Sequence, residues 1–491
     1  MKKYRFELFK LISEIGVLLI YFFMFYVLLA RYIPFEGLPG LPRQKVVIVC
    51  SVLYCLLFWI FLTWLEALSI GKRRLLDLIF GFFFSSFCVN LIAAVLCRIF
   101  MWLPFWRTAG AFVLMVLVQS AIGFLWVMIC HKLYERFQFR KEAVFVYGNR
   151  EDKGEFVRVN NTINKYFRIS RSVDFREGIE AVKAAVGENG SNSVVYLGDI
   201  PSEIRNVILK YCMENRIDCY TIPKISDIYI QSADMMQLND KLLLHDSPLE
   251  LEPARLAVKR LMDIVVSAVL LAVLSPVMLV IAVLIKAEDG GPVLYRQKRV
   301  TKDEKEFDVF KFRSMRVDAE ADGARMAGKN DERVTRVGRV IRNIHFDELP
   351  QLVNVLRGEM SLVGPRPERK EFIEEYSERV PEFRERLKVK GGLTGYAQVY
   401  GRYNSEPEDK IKYDLYYIYN YSLFLDIKIL ILTVRILFQK ENTEGIEEGQ
   451  RNALKQKKSG PPVKEEEKNV KTENAEEKDV KQAEKENAEA V

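Results

Sequence analysis

Histidine is nearly missing from this chain of 491 residues, which has only His131, His245 and His345. They are too few and too scattered for a histidine-based metal centre. Seven cysteines are present but none at metal-ligand spacing; Cys50, Cys55, Cys88, Cys97 and Cys130 lie in apolar runs, Cys212 and Cys219 in a more polar stretch. That excludes a zinc ribbon or a disulfide framework and leaves the thiols as packing residues of a reducing compartment. Gly148-Asn149-Arg150-Glu151-Asp152-Lys153-Gly154 lacks the G-x-G-x-x-G that lets a backbone approach a pyrophosphate, so dinucleotide binding is not expected there. No small-x-small site follows the first apolar run, which argues against a cleaved signal peptide. After Phe438 there is no aromatic residue, and residues 439–491 are Lys/Glu-rich without a periodic apolar face; they read as a disordered tail. The net charge of +7 does not point to nucleic acid, because the basic residues sit beside apolar runs. Anionic lipid headgroups or phosphate ligands suit that placement better.

What the chain does have is long apolar runs. Residues 11–30, 46–65, 75–97 and 108–130 each approach the ~20 residues that a bilayer core requires. Lys2, Lys3, Arg5 and Lys10 precede the first, Lys72, Arg73 and Arg74 lie between the second and third, and Lys132, Arg136, Arg140 and Lys141 follow the fourth. The alternate loops are poorer in base, so residues 1–141 are expected to form four transmembrane helices with both ends in the cytoplasm. Few charges lie inside the runs, which favours an anchor over an ion pathway. From residue 142 to 246 the pattern turns to soluble α/β, with strands at 143–147, 194–197 and 218–222 and a helix at 202–215. A degenerate Rossmann-like module with a regulatory or assembly role is expected.

A fifth apolar run, 264–285, has Lys259 and Arg260 before it and Lys286, Arg296, Lys298 and Arg299 after it. A spanning helix would carry one basic cluster outside, against the positive-inside rule. Ser275-Pro276 falls near its middle, where proline removes a helix hydrogen bond and the serine hydroxyl can return to the freed carbonyl. A re-entrant helix that bends there and exits on the same face satisfies these facts; a kinked spanning helix is the alternative.

Residues 342–367 then place Asp347 and Glu348 beside an expected amphipathic helix with Leu349, Leu352, Val353 and Leu356 on one stripe. Pro350 is tolerable only in a first turn, so that helix should begin near Asp347. Arg342, Arg357 and a Pro365-Arg366-Pro367 segment surround the pair. Two carboxylates among arginines suit a metal-bound, phosphorylated substrate, and they equally suit an ordinary helix cap. Residues 293–299 and 307–313 read as short basic strands, 372–389 as one charged helix, and 390–399 as a glycine-punctuated loop entering a strand that Gly401-Arg402 closes. Residues 422–437 read as an interfacial or packed helix.

Several segments in order resemble the bacterial sugar transferase family, the monotopic polyprenyl-phosphate phosphoglycosyl transferases. They are KRLMDI (259–264), the Ser-Pro-broken run, GGPVLYRQKR (290–299), FKFRSM (310–315), DELPQLVNVLRGEMSLVGPRPE (347–368), GLTGYAQVYGR (392–402) and SLFLDIKIL (422–430). The four-span bundle and α/β module resemble the long form of that family. Gly391 departs from the usual proline before the Gly-x-Thr-Gly loop, and His345-Phe346 from the usual small polar residue and leucine. The resemblance implies a membrane-associated α+β catalytic domain over 247–438. It implies transfer of a hexose-1-phosphate from a UDP-sugar to undecaprenyl phosphate at the inner leaflet of the bacterial cytoplasmic membrane, feeding exopolysaccharide, capsule or O-antigen synthesis. Asp347 would be the nucleophile, Glu348 a Mg²⁺ ligand with Asp347 beside it, and Arg366, Lys311, Arg313, Arg342 and Arg402 phosphate or substrate contacts. Membrane lipid is an expected partner and self-association stays open. The alternative is a catalytically inactive membrane scaffold or regulator of polysaccharide assembly.

Overall fold

The computed structural model describes residues 2–32, 42–71, 73–101, 105–136, 141–148, 167–188, 193–245, 253–317, 331–401 and 407–436. The expected tail at 439–491 and Arg402 lie outside the described residues.

The first four apolar runs form helices α1 (Lys2–Val27), α2 (Arg43–Trp64), α3 (Leu75–Met101) and α4 (Phe105–Arg136), all long and apolar enough to cross a membrane. Tyr21, Phe58, Leu78 and Phe82 are fully buried between them, while Phe23, Leu114 and Leu117 stay exposed on the outside. An apolar exterior around a packed interior is what lipid, not water, tolerates. A polar knot crosses the centre: Asn90 donates to Gln119 Oε1 at 2.7 Å, and Gln119 donates to the Tyr54 hydroxyl at 2.9 Å. These groups are neutral and satisfied by one another, so they join α2, α3 and α4 without adding charge.

Beyond the bundle, β1 (Lys141–Tyr147), β2 (Phe167–Asp174), β3 (Ser193–Leu197) and β4 (Asp218–Thr221) form a parallel sheet in the order β2-β1-β3-β4. Helices α5 (Ile179–Glu188) and α6 (Ser202–Glu214) pack on it through Val182, Val186, Ile208 and Cys212. The sequence reading missed β2, whose alternating arginines and serines carry no buried-strand signal. The order of the described strands is that of a doubly wound parallel sheet, in keeping with the α/β module expected there. At the carboxyl end of β1, a Cβ added to Gly148 would lie 2.4 Å from the Phe175 ring, and Arg176 donates to the Gly148 carbonyl. Phe175 and Arg176 thus pack over this end of β1. Next, α7 (Ile225–Ser232) leaves the sheet and buries Ile228 against Phe383, Ile411 and Leu415, with Tyr229 edge-on to Tyr419 at 5.0 Å. The hairpin β5 (Asp234–Leu238) and β6 (Lys241–His245) follows it.

The fifth run lies within α8 (Pro253–Asp289). Ser275-Pro276 does not interrupt this helix as the sequence suggests; Pro276 is inside it, and the Ser275 hydroxyl donates to Ala272 O at 2.9 Å. Ala272 is four residues before Pro276, so its carbonyl is the one that the missing N–H leaves free. The flanking cations bind protein rather than lipid alone. Lys259 pairs with Asp426 at 2.7 Å and donates to Val363 O, and Arg260 donates to Val355 O and Leu356 O at 2.6 and 2.7 Å. At the other end, Ile281 and Ile285 pack with Phe312 and Ile341, and Glu288 accepts from the Arg336 and Val337 amides. Both ends of α8 therefore rest on the core formed by the segments that follow it, and the exposed apolar stretch between them includes Val273, Leu279 and Val280.

That core begins with the antiparallel pair β7 (Leu294–Val300) and β8 (Glu306–Phe312), followed by α9 (Arg336–Asn343), a 3₁₀ turn at Phe346–Glu348 and α10 (Gln351–Arg357). The charged stretch after Arg369 is two elements, α11 (Lys370–Arg379) and a 3₁₀ segment Pro381–Lys388, because Pro381 ends the first. The glycine loop enters β10 (Gly392–Thr394), paired in parallel with β9 (Ser361–Val363), but then forms the short helix α12 (Tyr396–Tyr400) where a strand was expected. Finally α13 (Pro407–Tyr419) and α14 (Leu423–Ile436) close the core; Asp426 and Ile429 are fully buried, so α14 is a packed helix.

Candidate active site

Three pieces of chain converge at Asp347. Thr335 caps α9 by accepting from Gly338 N at 2.9 Å, and α9 runs to Asn343. His345 then takes a left-handed conformation at φ 57°, an uncommon position outside glycine. This reverses the chain into the 3₁₀ turn that carries Asp347 and Glu348. Pro350, not Asp347, occupies the N-cap position of α10, with no side-chain cap bond. The helix-cap reading of Asp347 is therefore corrected: the carboxylate lies one turn before the helix. The inward face of α10 is Leu352 and Val355 with Gln351 and Asn354, rather than the stripe drawn through Leu349 and Leu356.

The second piece is β8. Asn354, buried on α10, accepts from Phe310 N at 3.0 Å and donates to Asp308 O at 2.7 Å. This side chain completes a strand edge and fixes β8 so that Lys311 donates to Glu348 Oε1 at 2.7 Å. The third piece is the Pro365-Arg366-Pro367 segment. Arg366 grips Glu348 with both terminal nitrogens, at 2.6 and 3.3 Å. Its backbone is held from behind, since Gly392 N donates to Pro365 O at 2.8 Å and Arg386 donates to Arg366 O at 2.8 Å. Gly392 has to be glycine, because a Cβ there would lie 2.1 Å from Gly364 N.

The two neighbouring carboxylates end up in opposite states. Burial would raise Glu348, yet Arg366 and Lys311 hold it well below the usual carboxylate range. Burial, with the Glu348 anion beside it, pushes Asp347 up to about 6, although Lys311, Arg342 and Arg366 pull the other way. Asp347 takes part in no hydrogen bond or ion pair of its side chain among the described residues, whereas both oxygens of Glu348 are occupied. A dehydrated, uncommitted carboxylate that is still largely ionised at neutral pH is a competent nucleophile. Next to it His345 is lowered by burial, and so is neutral.

Behind Arg366 lies a second charged cluster. Glu368 pairs with Lys410 and, at 3.4 Å, with Arg299, which hold it at about 2 against its burial. Arg386 pairs with Asp414 at 2.9 Å, both fully desolvated. Asn354, Glu368 and Arg386 were not singled out in the sequence. Glu368 stands in the PRPE run and carried a signal; Arg386 and Asn354 carried none.

Of the expected substrate contacts, Lys311 and Arg366 come together on Glu348. Arg342, in the last turn of α9, is close enough to influence Asp347 but makes no side-chain bond among the described residues. Arg313 is placed elsewhere: it is buried and paired with Asp289 at the end of α8. Ser275 and Pro276 lie in the exposed apolar stretch of α8. As for Mg²⁺, no group of three or more His, Cys, Asp or Glu is placed to hold a metal among the described residues. Mg²⁺ commonly keeps waters and uses one or two carboxylates plus substrate phosphates. Asp347 and Glu348 fit an ion that arrives with a diphosphate, and Asp347 has the free oxygens.

Residues 254–440 match the sequence model described as "Bacterial sugar transferase". A UDP-N-acetylgalactosamine-undecaprenyl-phosphate N-acetylgalactosaminephosphotransferase of Aeromonas hydrophila is 41% identical over 232 residues, 47% of this chain and 54% of that protein. A UDP-glucose:undecaprenyl-phosphate glucose-1-phosphate transferase of Klebsiella pneumoniae is 45% identical over 196 residues, 39% of this chain and 42% of that protein. The chain thus spans about half the length of these two. For the protein of the same name in Caulobacter vibrioides, identity is 43% over 189 residues, 38% of this chain and 71% of that protein.

Proposed function

The chain belongs to the bacterial sugar transferase family, and on that premise we propose that it transfers a sugar-1-phosphate from a UDP-sugar to undecaprenyl phosphate, with release of UMP. The observation that carries this reading is the split pair: an uncommitted, buried Asp347 beside a Glu348 held as an anion by Lys311 and Arg366. A carboxylate oxygen of Asp347 attacks the β-phosphorus of the UDP-sugar. The bond from that phosphorus to the bridging oxygen breaks, and UMP leaves with the electron pair. The phosphosugar remains on Asp347 as an acyl phosphate, and a phosphate oxygen of undecaprenyl phosphate then attacks the same phosphorus. Breaking the Asp347 O–P bond regenerates the carboxylate and gives a lipid-linked diphosphosugar. One hard displacement becomes two easier ones.

Lys311 and Arg366 exchange part of their hold on Glu348 for the phosphate oxygens, where charge builds in an in-line transfer. Asp347 and Glu348 would hold a Mg²⁺ that arrives with the diphosphate, and the ion would supply neutralisation of that charge. The chain sits in the bacterial cytoplasmic membrane with this site facing the cytoplasm. In this reading α8 enters and leaves on that face, supported by the contact of both its ends with one core. Labelling of Lys259 and Lys286 from opposite membrane faces would reject the re-entrant course. For the chemistry, the test is Mg²⁺-dependent UMP release from a panel of UDP-sugars in vesicles containing undecaprenyl phosphate. No UMP from any of them would favour the scaffold reading.

A further inference from the structure

The N-terminal bundle is more than an anchor in its contacts. The turn after α2 places Glu66 in a left-handed conformation at φ 57°. Its carboxylate accepts from Arg73 Nε at 2.7 Å on its own loop and from Lys428 Nζ at 2.8 Å on α14 of the transferase core. In the first turn of α3, Asp77 pairs with Arg435 of α14 at 2.9 Å. Arg435 is itself buried and reaches Val399 O on α12 at 3.5 Å, and the Arg73 guanidinium lies over the Tyr400 ring at 5.3 Å. Burial works to raise Glu66, but Lys428 and Arg73 hold it below its usual range, so it is an anion in place.

From there the contacts lead toward Arg366. Thr433 of α14 and Thr394 of β10 share a hydroxyl bond at 2.7 Å. Gly364 N donates to Thr394 O at 2.9 Å, and Gly395 comes so close to Gly364 O that a Cβ would lie at 2.2 Å. Gly364 precedes the Pro365-Arg366-Pro367 segment. Each step is a packed or hydrogen-bonded contact with little freedom.

We propose that Glu66 and Asp77 are positioning residues. By holding Lys428 and Arg435, the α2–α3 loop fixes α14 and α12, and through β10 sets the backbone that aims Arg366 at the reacting phosphate. The bundle is then part of the active-site frame. This inference rests on the transferase reading for its kinetic consequence, but not for its structural one.

The test uses the full chain in lipid nanodiscs with Glu66→Gln, Lys428→Met and the double variant, and with Asp77→Asn as a milder change should these not fold. Hydrogen exchange of the Gly364 and Gly392 amides is followed together with UMP release. The expected result is faster exchange at both amides and a kcat loss of about tenfold, with KM for the UDP-sugar little changed. The double variant should be no worse than the worse single one, as for residues acting as one contact. Unchanged exchange at Gly364 and Gly392 in folded variants overturns the proposal, as do additive losses with KM alone affected. If the wild type releases no UMP, the transferase reading fails, and the exchange measurement alone decides whether the loop frames the Arg366 segment.

Discussion

The charged groups around Asp347 and those around Glu368 are separated by one arginine loop and are built on opposite rules. In the rear cluster each carboxylate has its cation: Glu368 has Lys410 and Arg299, and Asp414 has Arg386. In the front cluster two cations converge on Glu348 and, among the described residues, none bonds Asp347. A buried pair with every charge answered is structure, because removing either member leaves an uncompensated charge. A buried carboxylate with no partner is a liability that folding alone does not explain. On the proposed reading the difference separates the residue that does chemistry from those that hold it in place, and it can be broken by exchanging one group at a time.

Asp347→Asn should give the largest effect, a loss of UMP release of more than about a thousandfold, since the nucleophile itself is gone. The same substitution should raise thermal stability at pH 7. Asp347 binds its proton more tightly folded than unfolded, so its ionisation opposes folding by on the order of 3 kcal/mol. A thermal melt beside the UMP assay checks both; wild-type turnover, or a lower melting temperature, would break the contrast. Glu348→Gln should lose both activity and stability, by about a hundredfold and about 3 kcal/mol, because Lys311 and Arg366 are left facing each other. Glu368→Gln should lose about as much stability, while the fraction that stays folded keeps its KM for the UDP-sugar; a KM rise would move Glu368 into the substrate site. Arg366→Lys comes next. It retains the charge and loses the two-pronged grip, so kcat should fall by about tenfold with a small change in melting temperature.

The sequence was informative where physics acts along the chain and poor where it acts across it. Apolar runs of membrane length, the basic flanks of α8 and the Ser275-Pro276 pairing to Ala272 were all legible, because each depends on spacing within one helix. Asp347 and Glu348 were legible as a pair, but their opposite states were not. Those depend on Lys311 and Arg366, brought in from 36 positions before and 19 after Asp347. Arg313 looked as good a candidate as Lys311 two residues earlier. Strand alternation alone would put both on one face, but β8 ends at Phe312, and just beyond it Asp289 claims Arg313. Tyr396–Tyr400 looked like a strand from its β-prone residues, yet the backbone of Gly364 closes the sheet edge and the chain turns into a helix there. Arg386 sat unnoticed in a run of surface-like charge; only the fold shows that it is buried behind Arg366.

The finest test of the contrast is in pH rather than in mutation. With Asp347 pushed up to about 6, its contribution to stability is fully present below its unfolded value near 4 and is lost as pH rises through 6. Glu348 and Glu368 have the opposite sign: both are held low, so their contributions are present above about 4.5 and fall away only in stronger acid. Asp414 in the rear cluster is raised by burial despite Arg386 and so has the sign of Asp347, which is why the Asp347→Asn comparison, rather than the wild type alone, isolates Asp347 between pH 5 and 7. The melting temperature of Asp347→Asn minus that of wild type should be positive at pH 7 and shrink steadily toward pH 5, where the wild-type carboxyl is itself largely protonated and uncharged. Over the same interval kcat/KM of the wild type should fall by approaching tenfold for each pH unit below 6, as the attacking carboxylate is withdrawn. A difference in melting temperature that stays constant across this range would mean that Asp347 titrates as an ordinary surface carboxyl, and the assignment of an unpaired, desolvated nucleophile would fail with it.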